Sequence, residues 1–166
     1  MTDIRQILID EMKATFGTDD KRIRHALAVL DCAEQINQTH NADQLTITAA
    51  AILHDIGIQQ AEKTHGSNAG KYQEIEGPPI AEAILKKHNI PADTTDLVCR
   101  IIANHHSAKH KPTTATKEFQ VIWDADWLIN FNDVYPNINQ QKTNTLVNAI
   151  FKTPKGIQLA KQLFSE

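Results

Sequence analysis

The chain has 166 residues, 41% of them hydrophobic, with 17 basic and 20 acidic side chains and a formal net charge of −3. That length suffices for one domain with a core needing no disulfide or structural metal, and the near-neutral charge excludes a protein devoted to coating nucleic acid or an anionic membrane. Two cysteines, Cys32 and Cys99, stand far apart and outside any C-x-x-C pair, which excludes a disulfide scaffold and a thiolate zinc site and leaves eight histidines to account for.

Apolar residues recur at three- and four-residue spacing along most of the chain, and strand-like alternation is scarce. Ile4, Ile7, Leu8 and Met12 predict a first helix ending near Gly17. Charged residues from Asp3 to Lys13 break up its apolar run, so it is no signal peptide. Thr18-Asp19-Asp20 supplies capping chemistry for a second helix over about 21–39, with Ala26, Val29, Leu30, Ala33 and Ile36 as its stripe. A third helix opens after Thr46 or Thr48 and runs through Ala49-Ala50-Ala51-Ile52-Leu53 to a stop at Gly57.

Residues 58–77 are polar and punctuated by Gly66 and Gly70, and they read as a long functional loop. Helices resume after Pro78-Pro79 and again after Pro91, the latter carrying Leu97, Val98, Ile101, Ile102 and His105. A second polar loop covers 107–116. Three more helices are predicted over 117–131, 140–151 and 154–164. The whole of 1–166 reads as a single all-α helical bundle with a core of about 20–135. No apolar stretch approaches the ~20 residues of a membrane span. The expected location is cytoplasmic.

Four predicted helices place a polar residue where the apolar stripe should continue. His25 precedes Val29, Cys32 and Ile36 by four, seven and eleven residues. His54 follows Ile47, Ala50 and Ala51 on the same face, with Asp55 beside it. His105 follows Val98, Ile101 and Ile102, and His106 follows Ile102 by four. Asp126 follows Phe119, Ile122 and Trp123 by seven, four and three. Burying such a group unpaired costs about 1–3 kcal/mol, and more if it is charged. One divalent cation among them would remove the cost for all. Neutral imidazoles with carboxylates suit Mn, Fe, Zn or Ni better than a calcium cage. Asp124 competes with Asp126, since it shares a face with Val121, Leu128 and Phe131. The two point roughly 160° apart on a helix, so only one of them would be a ligand. His40, His65, His88 and His110 sit in polar contexts and read as surface residues, with His65 and His110 the two that would reach a substrate.

The order His25 … His54-Asp55-Ile56-Gly57 … Asp126 resembles the H…HD…D signature of the HD-domain superfamily of metal-dependent phosphohydrolases. The resemblance covers roughly 20–135. Ala125-Asp126-Trp127-Leu128 matches the superfamily's Ala-Asp-x-Leu context, which favours Asp126 over Asp124; Trp127 stands where an arginine is usual. His105-His106 resembles the extra ligands of two-metal members such as the HD-GYP branch, although this chain has no Gly-Tyr-Pro triplet. Ile58 replaces the lysine that commonly follows H-D-x-G. Glu76-Gly77 stands where a further histidine is expected, so Glu76 becomes a candidate bridging carboxylate.

The resemblance implies a hydrolase acting on a small phosphoester, a nucleotide or related metabolite, through one or two divalent ions: Mn, Fe, Ni, Co or Zn, with Mg also admissible. His25, His54, Asp55 and Asp126 would hold the first ion, with His54 and Asp55 at the chemistry. His105, His106 and Glu76 would complete a second site. Lys71, Lys109 and Lys111, on the two polar loops, are the expected substrate contacts. Two other readings keep the fold: a diiron oxygenase, and a non-catalytic metal-stabilised binding or regulatory domain.

Overall fold

The computed structural model describes residues 3–165; Met1, Thr2 and Glu166, which the expected domain includes, lie outside the described residues. Among the described residues all regular structure is helical, in the order α1 (Ile4–Phe16), α2 (Asp20–His40), α3 (Gln44–Leu53), α4 (Ile58–His65), α5 (Gly70–Lys87), α6 (Ala92–Ile102), α7 (Lys111–Thr114), α8 (Lys117–Val134), α9 (Gln140–Ile150) and α10 (Pro154–Phe164). None of these helices is long and apolar enough to cross a membrane.

Most helices start where a short polar side chain accepts from the first turn, satisfying a backbone donor that would otherwise be orphaned. Asp3, Asp19, Asp43, Thr116, Asn139 and Thr153 all do this. Asp43 starts α3 at Gln44, earlier than the apolar run alone indicated.

Helix α3 is buried on every side, and α2 packs most extensively on α8 and α3. Leu30, Ile36, Ile47, Leu53, Ile101, Phe119 and Phe131 fill the space between them. Helix α6 closes over α3 and also packs on α5. The N-terminal half of α2, the C-terminal ends of α3 and α6, and the middle of α8 therefore meet at one place.

The largest departure from expectation is 58–77, which is helical almost throughout. Its polarity reflects a short surface helix, α4, and the exposed side of α5. Gly66 ends α4 in the left-handed conformation at φ 66°, while Gly70, Gly77 and the preceding Gly57 serve close approach. A Cβ on Gly57 would collide with the backbone of Gly77, and one on Gly70 would sit 2.7 Å from Cγ of His106. Helix α5 also runs through Pro78 and Pro79 instead of starting after them. The other expected loop, 107–116, holds the single turn α7.

Candidate metal centre

Helix α3 ends at Leu53, four residues before the expected stop, and His54 to Gly57 form a turn. Helix α6 likewise ends at Ile102, so that His105 and His106 lie in a turn. This is what allows adjacent residues to face one site, which 100° per residue on a helix would forbid. Both turns use the same device. His54 Nδ1 lies 2.7 Å from the carbonyl of Ala51, and His105 Nδ1 lies 2.6 Å from that of Ile102. Each ring thus donates Nδ1–H to a carbonyl in the last turn of its helix, and each neutral ring is left with a bare Nε2 aimed inward.

Four elements bring ligand-type atoms together. His25 Nε2 lies 3.3 Å from His54 Nε2 and 3.1 Å from Asp126 Oδ1. Asp55 Oδ2 lies 3.3 Å from both imidazole nitrogens, and His54 Nε2 is 3.5 Å from Asp126 Oδ1. With the Nδ1 of His54 committed to the backbone, its Nε2 is an acceptor facing two carboxylates, and His25 Nε2 is the one ring nitrogen among these four atoms whose tautomer the backbone does not fix. Only a proton or a cation among them relieves the repulsion.

Donor atoms arranged tetrahedrally around an ion with bonds of about 2.0–2.1 Å lie roughly 3.3–3.4 Å apart, so the residues present fit a divalent transition metal. The same crowding shapes the protonation of the cluster. Burial opposes a charge on His54, but the neighbouring Asp55 and Asp126 carboxylates outweigh it and hold the imidazole well above its usual value. Burial likewise opposes the charge on Asp55, yet His54 and His105 keep its carboxyl well below the carboxylate range.

The other oxygen of Asp55, Oδ1, lies 3.2 Å from His105 Nε2. Asp55 therefore joins two groups of three, His25–His54–Asp126 and Asp55–His105–His106, in each of which one atom per residue lies within 4.8 Å of the others. The second group is looser. His106 is exposed at its turn but lays its ring against His105; its Nε2–H donates to Gln73 Oε1 at 3.0 Å, and the partial desolvation of the ring together with His105 depresses its pKa to about 4.

Asp124 and Asp126 separate completely. Asp124 is fully buried on the opposite side of α8, where it accepts from the backbone of Lys152 and Thr153 and from the Thr153 hydroxyl. Glu76 is not brought to the cluster; it pairs with His65, whose ring stacks on Tyr72. His40, His88 and His110 are each engaged elsewhere, with Gln120, Glu11 and Thr113.

Two cavities open on the cluster. One, of about 270 Å³, is lined by Lys21, Arg22, His25, Asp55, Gln73 and Asp126 among others. The second, of about 310 Å³, is walled by Trp123 and Trp127. Lys71, Lys109 and Lys111 line neither, and Lys71 instead lies over the ring of Tyr72. The loop reading had placed Lys71 near the site; as a residue of α5 it points outward.

Sequence reasoning missed several neighbours of the cluster. Lys21 and Arg22 precede His25 by four and three residues on α2, a spacing that places them on its face. Asn130, four residues after Asp126, donates to Asp126 Oδ1 at 2.9 Å. Both spacings were readable from helical periodicity. Gln73 was hidden by the loop reading.

A family model for the HD domain matches residues 22–130, well over half of the chain. The chain belongs to the HD domain family. Neither the curated proteins nor the solved structures compared with it produced a match. Within this HD domain, the matched span runs from the turn of α2 that carries His25 to Asn130, beyond Asp126, and so contains every residue of both three-residue groups.

Proposed function

We propose that this HD domain hydrolyses a small phosphorylated substrate, with a divalent ion held by His25, His54, Asp55 and Asp126. The observation that supports this most directly is the convergence of four acceptor atoms, from α2, α8 and the turn after α3, at separations of 3.1–3.5 Å. When bound, the ion acts as a Lewis acid on a phosphoryl oxygen and makes the attacking water more acidic.

The remaining work falls to the chain. The carbonyls of Ala51 and Ile102 fix the His54 and His105 rings, so that Nε2 of each faces the site without reorganisation. Asn130 donates to Asp126 Oδ1 and holds that carboxylate in place. Asp55 turns Oδ2 towards His25 and His54 and Oδ1 towards His105, which places it between the two groups to hold the ion and orient a water. Lys21 and Arg22 stand at the mouth of the smaller cavity and offset the charge of a phosphate. Arg22 is already fixed by Asp19 and Glu62, at 3.1 and 2.6 Å. His105, His106 and Asp55 would hold a second ion.

Metal analysis of the purified protein, joined to a phosphate-release screen over small phosphoesters with Mn, Mg, Ni and Co, tests this reading. His54→Ala and Asp55→Ala are expected to lose both metal and turnover. Full metal stoichiometry in either variant would overturn the assignment. A coloured protein active only with iron and O₂ would replace the hydrolase with an oxygenase on the same residues.

A further inference from the structure

The two cavities beside the cluster share His106, Asp126, Asn130 and Asp133 but differ in chemistry on either side of it. The smaller carries both basic side chains, Lys21 and Arg22. The larger has none among its lining residues; its carboxylates are Asp126 and Asp133, and its walls are the indoles of Trp123 and Trp127 with Val134. A phosphate would meet only negative charge there.

The two rings are braced from outside the cavity. Trp123 donates its indole N–H to the carbonyl of Ile150 at 3.1 Å, and the Lys152 ammonium lies 5.2 Å over that ring. Trp127 runs nearly parallel to Tyr135, with an interplanar angle of 13° and centroids 6.2 Å apart, and meets Phe131 edge-on. Both tryptophans are nevertheless only part-buried, so aromatic surface stays open within a volume of about 310 Å³. That is near the lower bound of small-molecule pockets and suits a single ring system.

We infer that the Trp123–Trp127 cavity is the subsite for the organic part of the substrate, and that it selects a phosphomonoester carrying a planar aromatic group, neutral or cationic, over a polyol phosphate. This rests on the hydrolase reading above, because the cluster then sits between phosphate and ring. A flat uncharged or cationic group matches indole faces flanked by carboxylates. A polyol has no flat face to lay against the indoles, so it gains less from them than an aromatic ring does.

The test compares phenyl phosphate with glycerol 3-phosphate as substrates in the Mn-loaded protein, and measures binding of non-hydrolysable phenylphosphonate by calorimetry. The variants are Trp127→Leu, which keeps apolar bulk without an aromatic face, and Trp127→Phe, which restores a ring. Trp127→Leu is expected to raise the KM for phenyl phosphate, and the Kd for phenylphosphonate, roughly five- to a hundredfold more than it raises the KM for glycerol 3-phosphate. Trp127→Phe should recover most of that difference. Equal losses on both substrates, or none, would overturn the subsite.

If phenylphosphonate binds in a Trp127-dependent way while no phosphoester is cleaved, the subsite stands and the hydrolase reading fails. If glycerol 3-phosphate is cleaved and phenylphosphonate does not bind, the subsite falls and the hydrolase reading stands. If nothing is bound or cleaved, both fall. Should Trp127→Leu fail to fold, as circular dichroism would show, Trp127→Phe against wild type decides: it must retain phenylphosphonate binding within a few-fold, and loss of that binding in a folded variant overturns the subsite.

Discussion

Asp124 and Asp126 lie two residues apart on α8, and both carboxylates are removed from bulk water, yet their surroundings are opposite. Asp124 meets donors only: the backbone N–H of Lys152 at 2.8 Å, that of Thr153 at 2.8 Å, and the Thr153 hydroxyl at 2.7 Å. Burial still pushes its carboxyl above the usual value, but the chain supplies three donors to it, and in doing so it anchors the start of α10. Asp126 meets imidazole nitrogens and shares its surroundings with a second carboxylate, Asp55. Burial opposes its charge, and hydrogen bonds to His25 and His54, together with the charge of His54, nonetheless keep its carboxyl far below the usual range. A carboxylate whose donors are built into the backbone holds the fold together. One that has a single amide donor, from Asn130, and otherwise faces imidazole nitrogens and a second carboxylate is a place for a cation.

The sharpest way to break this contrast is to neutralise each carboxylate in turn. Asp126→Asn should lower metal affinity by more than the about 10–100-fold that loss of an outer-sphere partner costs, whereas Asp124→Asn should retain wild-type metal content by elemental analysis. The reverse pattern would assign the roles the other way round. Asp124→Asn should instead destabilise the fold by about 1–3 kcal/mol in urea unfolding, because the amide turns one of the two accepting oxygens into a donor facing a buried donor.

Removing the metal should reproduce the contrast without mutation. At an ion concentration of 100 times Kd, loading adds about 2.7 kcal/mol, or roughly 5–10 °C in Tm, and chelation should remove this in wild type and Asp124→Asn but not in Asp126→Asn. A chelator-sensitive Tm in Asp126→Asn would show that the ion sits elsewhere.

Gly156 sharpens the Asp124 side, since a Cβ there would collide with Asp124 Oδ2. Gly156→Ala should cost about 1–3 kcal/mol in unfolding free energy and leave metal content intact. The smallest effect is expected on the looser group. Gln73→Leu removes the acceptor facing His106 Nε2, so it should weaken a second ion about tenfold while the first is retained, as read by metal titration with two stoichiometric steps.

Much of this was open to sequence reasoning. Helical spacing put His25, His54, His105, His106 and Asp126 on inward faces; His25, His54, His105 and Asp126 do converge, whereas His106 is exposed on its turn. The Ala-Asp-x-Leu context favoured Asp126, whereas periodicity alone did not separate it from Asp124. The polar stretch 58–77 was misread because glycine and proline carry the same local signal whether they break a helix or let two backbones touch. Gly57 against Gly77 and Gly70 against His106 are contacts between residues 20 and 36 positions apart, respectively, which no local window registers. Lys71 was placed at the site for the same reason, whereas Glu76 was proposed from the resemblance and pairs with His65 instead.

Composition and spacing by themselves determined an all-α chain, the burial of a His/Asp set too polar for its position, and the absence of any thiolate alternative. Periodicity reports that a face is buried but not what it is buried against. Tertiary structure decided the rest: the backbone donors beside Asp124, the two halves of Asp55, the basic mouth at Lys21 and Arg22, and the indole walls at Trp123 and Trp127. Each of these depends on elements distant in sequence meeting at one corner, and the packing of α2, α3, α6 and α8 is what brings them there.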